Sequence, residues 1–482
     1  MSLTAGILSW SAFIFALIAV LLAPWFFGAW QQWWFWPFFT CLAMSTFLFA
    51  ARLLVRAYGH RRSDDEESTE EDVFRHHRRG WLLASFIPFI LYAIIRTFQA
   101  DVWMDAERIL LLQLSALLLG VQVVSGFSRT QRLLCFGFIT VNFICLGAYG
   151  IVNHVLTGSS RVLWAPAYEL YQAEHRASGS YFCPDHFSGA MELALGIGIA
   201  CILVRKTHWV AKLAGLVLCG AGLTGVLLSR SRGGGLTIVV MFVVAVVFGF
   251  STWSRRSRWL IRGAFAIAGA AALVLFATSQ HPFMKRFLIY FPFSDLRGKP
   301  AIEVRAAVID RLAQTSRGRM ISAAWRAWRT NEKTRLWGIG PGMHQNIWPH
   351  IAATPDGDRK SGTWPTMPNY DFHSYWVHSD WMQLLEEYGL VGLLLFLIPT
   401  GTVLLFMLPK SRAMPHETVP ATGSHLLSLA GIMAWTAMAF HSLGDFNLQI
   451  PANAWLLAVL VALPLGQLHG RTGQPSQDEV TA

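Results

Sequence analysis

Apolar runs long enough to cross a bilayer recur along almost the whole chain, and that recurrence leaves few folds open. A span takes about 20 mainly apolar residues, and hydropathy with flanking charge marks about twelve such runs. They lie near residues 5–28, 32–55, 81–98, 108–127, 133–156, 187–204, 209–228, 235–252, 259–279, 380–407, 425–443 and 451–467. The chain has 482 residues, 54% hydrophobic and 14% charged, with mean hydropathy +0.42, so most of it is unsuited to a water-soluble core. The expected fold class is an all-α polytopic membrane protein with about twelve transmembrane helices.

Net charge is +11, which in a soluble protein would raise the question of nucleic acid. Here the charge has a membrane explanation, and no nucleic-acid partner is expected. Basic residues collect in alternate loops: Arg52, Arg56, Arg61, Arg62, Arg75, Arg78 and Arg79; Arg129 and Arg132; Arg205 and Lys206; Arg255, Arg256 and Arg258; Lys410 and Arg412. The positive-inside rule makes these cytoplasmic, with both termini inside and the intervening loops outside. The first run has no basic segment ahead of it and is too long for a cleavable signal, so it is expected to remain as a span. Cys41, Cys135, Cys145, Cys201 and Cys219 sit in apolar runs and only Cys183 lies outside one; no disulfide framework or zinc spacing follows.

These boundaries divide the chain into N-terminal spans (1–156, with a charged cytoplasmic loop at 57–80), central spans (157–279, with an outer loop at 157–186), a large outer loop (280–379), C-terminal spans (380–470) and a cytoplasmic tail (471–482). The acidic stretch from Asp64 to Asp72 reads as a solvated, self-repelling loop rather than a metal site. No internal repeat is evident, which weighs against an inverted-repeat transporter. In the large loop, Arg319 to Arg329 places Ile321, Trp325 and Trp328 on one helical face and Arg319, Ser322, Arg326 and Arg329 on the other. That pattern suits an amphipathic helix lying on the outer leaflet; either it anchors the loop or its arginines face an anionic substrate.

Arginine on the outer face needs a reason. Arg230 and Arg232 stand in Leu228-Ser229-Arg230-Ser231-Arg232-Gly233-Gly234-Gly235, where glycines admit a ligand close to the backbone and guanidinium groups can grip phosphate oxygens. Snorkelling to lipid headgroups is the plainer alternative. Glu174-His175-Arg176-Ala177-Ser178-Gly179 lies just before the sixth span. The segment from His378 to Gly392 puts a titratable base at the water-facing end of a span, where ionisable groups are usually functional. On an ideal helix from His378, Met382, Leu385, Gly389 and Gly392 would share its stripe, and the glycines would admit a neighbouring helix; an interfacial cap is the alternative. Glu387 would point away from His378, toward a neighbouring helix. Gly338-Ile339-Gly340-Pro341-Gly342 lacks the lysine of a phosphate loop and reads as a turn. His441 and Asp445 are four apart, but Gly444 and the segment Asn447 to Pro451 suggest a helix end, so no metal site is expected.

In order and in side of the membrane, these pieces resemble the O-antigen ligase and polymerase superfamily, bacterial membrane glycosyltransferases of the GT-C class. The resemblance covers about residues 175–460. Arg176 to Glu192 is similar to the family's Gly-aromatic-Asn-Pro-Asn segment, Ser231-Arg232-Gly233 to its Ser-Arg-Gly, and Arg319 with Gly338 to Gly342 to its outer-loop pattern. His378 to Gly392 resembles its His-Asn/Ser and Glu-x-Gly-x-x-Gly signature, and Ser442-Leu443-Gly444-Asp445-Phe446 its closing segment. One departure stands out: the family commonly has Asn where this chain reads Cys183-Pro184-Asp185-His186, and a carboxylate there would repel a pyrophosphate.

The resemblance implies a GT-C-like enzyme in a bacterial inner membrane, its active site facing the periplasm. It would transfer or polymerise a glycan from an undecaprenyl-pyrophosphate carrier onto an acceptor glycan, lipid A core or glycoprotein. His378 would be the general base; Arg232, Arg176, Arg230 and Arg319 would hold the pyrophosphate; Glu387, Gly389 and Asp445 would support them. No metal or other cofactor is required by this scheme. A transporter of lipid-linked glycan, and an inactive or scaffolding relative, are the alternatives.

Overall fold

The structure, a computed structural model, describes residues 3–60, 80–169, 175–249, 254–278, 284, 298–351, 373–408 and 421–466. The acidic stretch Asp64 to Asp72, the basic residues Arg61 to Arg79, Glu174, Lys410, Arg412 and the tail lie outside the described residues, as does part of the large loop.

The described residues are almost entirely helical. In chain order the helices are α1 (Leu3–Leu22), α2 (Gln32–His60), α3 (Ile87–Phe98), α4 (Trp103–Val121) and α5 (Arg129–Thr157). A short hairpin, β1 (Arg161–Val162) with β2 (Ala165–Glu169), follows. Then come α6 (Pro184–Leu203), α7 (Trp209–Ser229), α8 (Arg232–Phe248), α9 (Arg255–Thr278), α10 (Ala301–Ala313), α11 (Ser316–Arg329), α12 (Glu332–Trp337) and α13 (His344–Ile351). The last three are α14 (Asp380–Met407), α15 (Ala421–His441) and α16 (Pro451–Leu465).

Each of the twelve apolar runs coincides with one of these helices. Among the described residues nine helices are long and apolar enough to cross a membrane, while α8 and α16 are apolar but shorter. The protein is therefore an all-α polytopic membrane protein. Its helix starts follow local chemistry. Ser128 and Gln131 form a capping box at α5, and Gly158 closes that helix in the left-handed region at φ 60°. Pro184 opens α6, where its missing N–H costs nothing, and the hydroxyls of Ser231, Thr315 and Ser379 cap α8, α11 and α14.

Helix α6 is the axis of the bundle. Its apolar window is 89% buried, against 22% for α14, because α7, α8 and α15 pack around it. A helix enclosed on every side has no lipid face, so it can carry polar residues wherever neighbours supply partners. Asp185, His186, Ser188 and Glu192 occupy its first turns, all buried.

The helix expected at Arg319 to Arg329 forms as part of α11, and its inward face is made mostly of small residues that the sequence reading did not single out. Met320, Ala323, Ala324 and Ala327 face inward on α11, whereas Trp325 is 42% exposed and packs at a tilt against Trp328, ring centroids 4.8 Å apart. Close packing of α11 on α14 selects small side chains and turns the bulky aromatics outward.

The expected stripe from His378 to Gly392 does not exist. Ser379 accepts a hydrogen bond from Met382 N and starts the helix after His378, which itself sits at φ 57°. Farther along, Gly389 breaks α14 with φ 69° and ψ −173°, a conformation essentially reserved for glycine. The break releases the carbonyls of Glu386 and Glu387, which accept hydrogen bonds from Ile339 N and Gly340 N, each at 2.9 Å. The segment Gly338 to Gly342 is thus a turn seated on a helix break.

Candidate functional site

The first turns of α6, α8, α11 and α14 meet the C-terminal end of α15 in one cluster of buried polar side chains, centred on Asp445. Asp445 follows the end of α15 and is fully buried. Its Oδ1 accepts from Phe446 N at 2.9 Å, its Oδ2 lies 3.4 Å from Arg317 Nη2, and three histidines surround it. His378 Nδ1 is 3.5 Å from Oδ1, His186 Nε2 is 3.9 Å from Oδ1 and His441 Nε2 is 3.7 Å from Oδ2. These are long for hydrogen bonds and close for charges. Burial alone would raise the Asp445 pKa; Arg317 above all, then His378, His441 and His186, hold it well below the usual carboxylate range.

Arg317 is the cation that sequence reading missed. Its Nη1 donates to Gly444 O at 2.8 Å and its Nη2 to Asp185 Oδ2 at 2.8 Å. Burial would lower its pKa, but Asp445 and Asp185 raise it, so it is charged throughout. Arg319, the residue expected here, is exposed on the outside of α11 and donates to Gln314 O at 3.4 Å. Two residues on a helix are about 200° apart, so the two side chains leave α11 on opposite sides. The signal was the inward stripe of Met320, Ala323, Ala324 and Ala327, which fixes the phase of the helix.

Arg176 is where the sequence placed it, but it is engaged. Its Nε donates to Ser229 O at 2.6 Å and its Nη2 to Asp185 Oδ1 at 2.5 Å. Asp185 therefore does not stand as a bare negative charge: it bridges Arg176 and Arg317. Arg232 begins α8 and is half-buried, as is Arg230, the left-handed residue at φ 51° that ends α7.

Behind the cluster, His441 Nδ1 pairs with Glu192 Oε1 at 2.7 Å, and Ser188 Oγ donates to the same oxygen at 3.0 Å. The glycines of the Arg232 segment make this possible: a Cβ on Gly233 would stand 2.9 Å from the His441 ring, and one on Gly234 would stand 2.1 Å from Ser188 Oγ. Asp380, on the first turn of α14, accepts from Ser442 Oγ at 2.7 Å and Leu448 N at 2.9 Å. Burial pushes the nearby Cys183 thiol up to about 12, with Asp185 and Asp445 adding to it, which leaves it a thiol rather than a nucleophilic thiolate.

Of the three histidines around Asp445, His378 is the accessible one, with its side chain 28% exposed. Its ring meets Phe446 edge-on at 4.6 Å, and His186 meets the same ring at 4.6 Å. Phe446 stacks on Trp376 at 5.8 Å, and Trp30 packs against both. This aromatic wall was not anticipated from the sequence, since it unites residues from three distant segments.

Glu387 does not reach the cluster. It accepts from Gln383 Nε2 at 3.0 Å and from the backbone of Gly342 and His344. Beside it His344 Nδ1 pairs with Glu386 Oε2 at 2.8 Å and His344 Nε2 lies 3.2 Å from Ser374 Oγ. Gln383 Oε1 accepts from Val377 N at 3.3 Å. Glu387 and Gly389 therefore hold the turn at Gly338 to His344 against α14, whereas Asp445 faces His378 itself. No protein-family model matches this chain, and no curated protein matches it.

Proposed function

We propose that the protein is a membrane glycosyltransferase of the O-antigen ligase and polymerase kind. It would move a glycan from an undecaprenyl-pyrophosphate carrier to an acceptor hydroxyl at the periplasmic face of a bacterial inner membrane. The observation that carries this reading is the pairing of a partly exposed histidine, His378, with a buried carboxylate held ionised behind it, Asp445, at the rim of an arginine-bearing cluster. Under the same reading the fold is GT-C-like with about twelve spans, both termini are cytoplasmic, and α10 to α13 lie outside.

In this mechanism Asp445 favours the tautomer of His378 with a proton on Nδ1, leaving Nε2 free as general base. Nε2 takes the proton of the acceptor hydroxyl as its oxygen attacks the anomeric carbon. The bond from that carbon to the pyrophosphate oxygen breaks, the pyrophosphate carries away the electron pair, and the anomeric centre inverts. Arg232 and Arg230 are the half-buried guanidiniums suited to meeting that charge. Arg176 and Arg317 are taken up by Asp185 and Asp445 and fix the cluster's shape, and Arg319 takes no part. Trp30 and Trp376, half-buried and held by Phe446 between them and His378, suit the apolar faces of a sugar ring. The acceptor is a second carrier-linked glycan, lipid A core or a glycoprotein, and the same base serves each.

The test is glycan transfer in proteoliposomes with a panel of polyprenyl-pyrophosphate donors and acceptors, comparing wild type with His378→Ala and Arg232→Ala. Loss of transfer in both folded variants supports the mechanism, and the productive acceptor separates ligase from polymerase. Full activity of His378→Ala would sink it, and donor movement without transfer would make the protein a transporter.

A further inference from the structure

The polar cluster takes up the first turn of α11, and a different surface forms where that helix runs into α12. Trp328 Nε1 donates to Arg335 O at 2.9 Å, folding the end of α11 onto α12. The residues that follow are clamped to the bundle where α3 ends and α4 begins. Tyr92 Oη, on α3, lies 3.1 Å from Trp337 O and donates to Tyr388 O at 2.7 Å. Arg96 Nη2 donates to Gly338 O at 3.2 Å, and Asn346 Nδ2 donates to Asp105 Oδ2, on α4, at 3.1 Å. The end of α12 is therefore level with the turn from Phe98 to Trp103, which joins two of the helices long and apolar enough to cross a membrane. Such a turn lies at a membrane surface.

Leu336 and Trp337 are exposed there, as are Phe98, Trp103 and Met104. Leu91 and Ile95, also exposed, continue the apolar surface along α3 to the depth at which a spanning helix meets lipid. Exposed rings and aliphatic side chains gathered at that level are the make-up of a membrane interface. Cations stand beside them: Arg329, Lys333 and Arg335 are exposed, against Glu332 on the same stretch and Asp101 on the turn.

We propose that α12 is a phospholipid-docking surface. Leu336 and Trp337 enter the leaflet beside Phe98 and Trp103, and Lys333 and Arg335, with Arg329, hold the phosphates of anionic headgroups. Continuity with the lipid face of α3 is what commits this surface to lipid rather than to a protein. Lipid then pins one end of the arm formed by α11 and α12, while Arg317 pins the other to Asp185 and Asp445. The inference does not depend on the transferase reading.

The test places a photoactivatable diazirine amino acid at Leu336 of the full-length protein, in nanodiscs holding equal amounts of phosphatidylglycerol and phosphatidylcholine, and identifies the adducts by mass spectrometry. Lipid adducts are expected, with phosphatidylglycerol captured several-fold more than phosphatidylcholine. Lys333→Gln combined with Arg335→Gln should bring the two lipids to equal yield while adducts persist. Capture of water or protein in place of lipid, equal yields in wild type, or a phosphatidylglycerol excess unchanged in the double variant would each overturn the proposal.

Discussion

Two buried polar regions hang from the first turns of α14, and they differ in how fully their hydrogen-bonding capacity is used. On one side, Gln383, Glu386 and Glu387 bind His344, Val377 and the turn at Gly338 to Gly342, and among the described residues Glu386 Oε1 is the one side-chain acceptor of those three residues left over. On the other side, His186 Nε2, Glu192 Oε2, His378 Nδ1, Asp380 Oδ1, His441 Nε2 and Asn447 Nδ2 all lack a hydrogen-bond partner among the described residues. Equally buried, the first region is built to hold backbone in place. The second keeps several ionisable groups within electrostatic reach of one another without satisfying them, which is what a site prepared for a ligand or a moving proton requires.

Substitutions can break that contrast. The largest expected effect is in the second region: His378→Ala should lower transfer by about 10²- to 10⁴-fold, the usual contribution of a general base, with the melting temperature unchanged. His344→Gln should do the reverse, lowering stability while leaving the pH profile of any remaining transfer where it was. If both variants behave alike, the two regions are one functional unit. Next, Arg317→Ala should destabilise the protein by about 3 kcal/mol, because it leaves Asp185 and Asp445 buried with less compensation; Arg319→Ala, on the same helix, should change the thermal midpoint little.

A smaller effect isolates the supporting region. Gly389→Ala should cost at least about 1–3 kcal/mol from its backbone conformation alone, and its Cβ would stand 2.3 Å from Leu336 O. Proteolysis between α12 and α13 should therefore speed up in that variant. The smallest effect is in pH dependence. Asp445 is held below its ordinary value, so its stabilisation is complete above the ordinary carboxylate pKa of about 3.9 and is lost as pH falls through the lower folded value. The melting-temperature gap between wild type and Asp445→Asn should stay level from neutral pH to about 5 and narrow below about 4. A gap that narrows near neutrality would mean another group governs the cluster.

Much of this architecture was legible because lipid imposes a one-dimensional rule: runs of apolar residues give the helices, and all twelve runs became helices. What the rule does not give is helix phase. Arg317 and Arg319 are indistinguishable by hydropathy, and Arg319 was chosen by its place in a family pattern, without the phase that the inward stripe of Met320, Ala323, Ala324 and Ala327 sets. Ser379 and Gly389 were both visible in the sequence, yet the ideal-helix argument passed over a capping serine and a glycine break that together determine where His378 stands. Asp185 was judged by its own charge, whereas its meaning comes from Arg176 and Arg317, which only the folded chain brings to it.

The interruption at Gly389 also bears on the order in which the molecule is made. Ile339 and Gly340 leave the ribosome well before Glu386 and Glu387, the carbonyls that their N–H groups bond. The turn therefore remains unanchored until α14 has been inserted, and Asp445 reaches His378 only after α15 has followed. A nascent chain stopped before that point contains most of the membrane bundle but cannot hold the cluster together, so activity would report completed biogenesis rather than partial insertion.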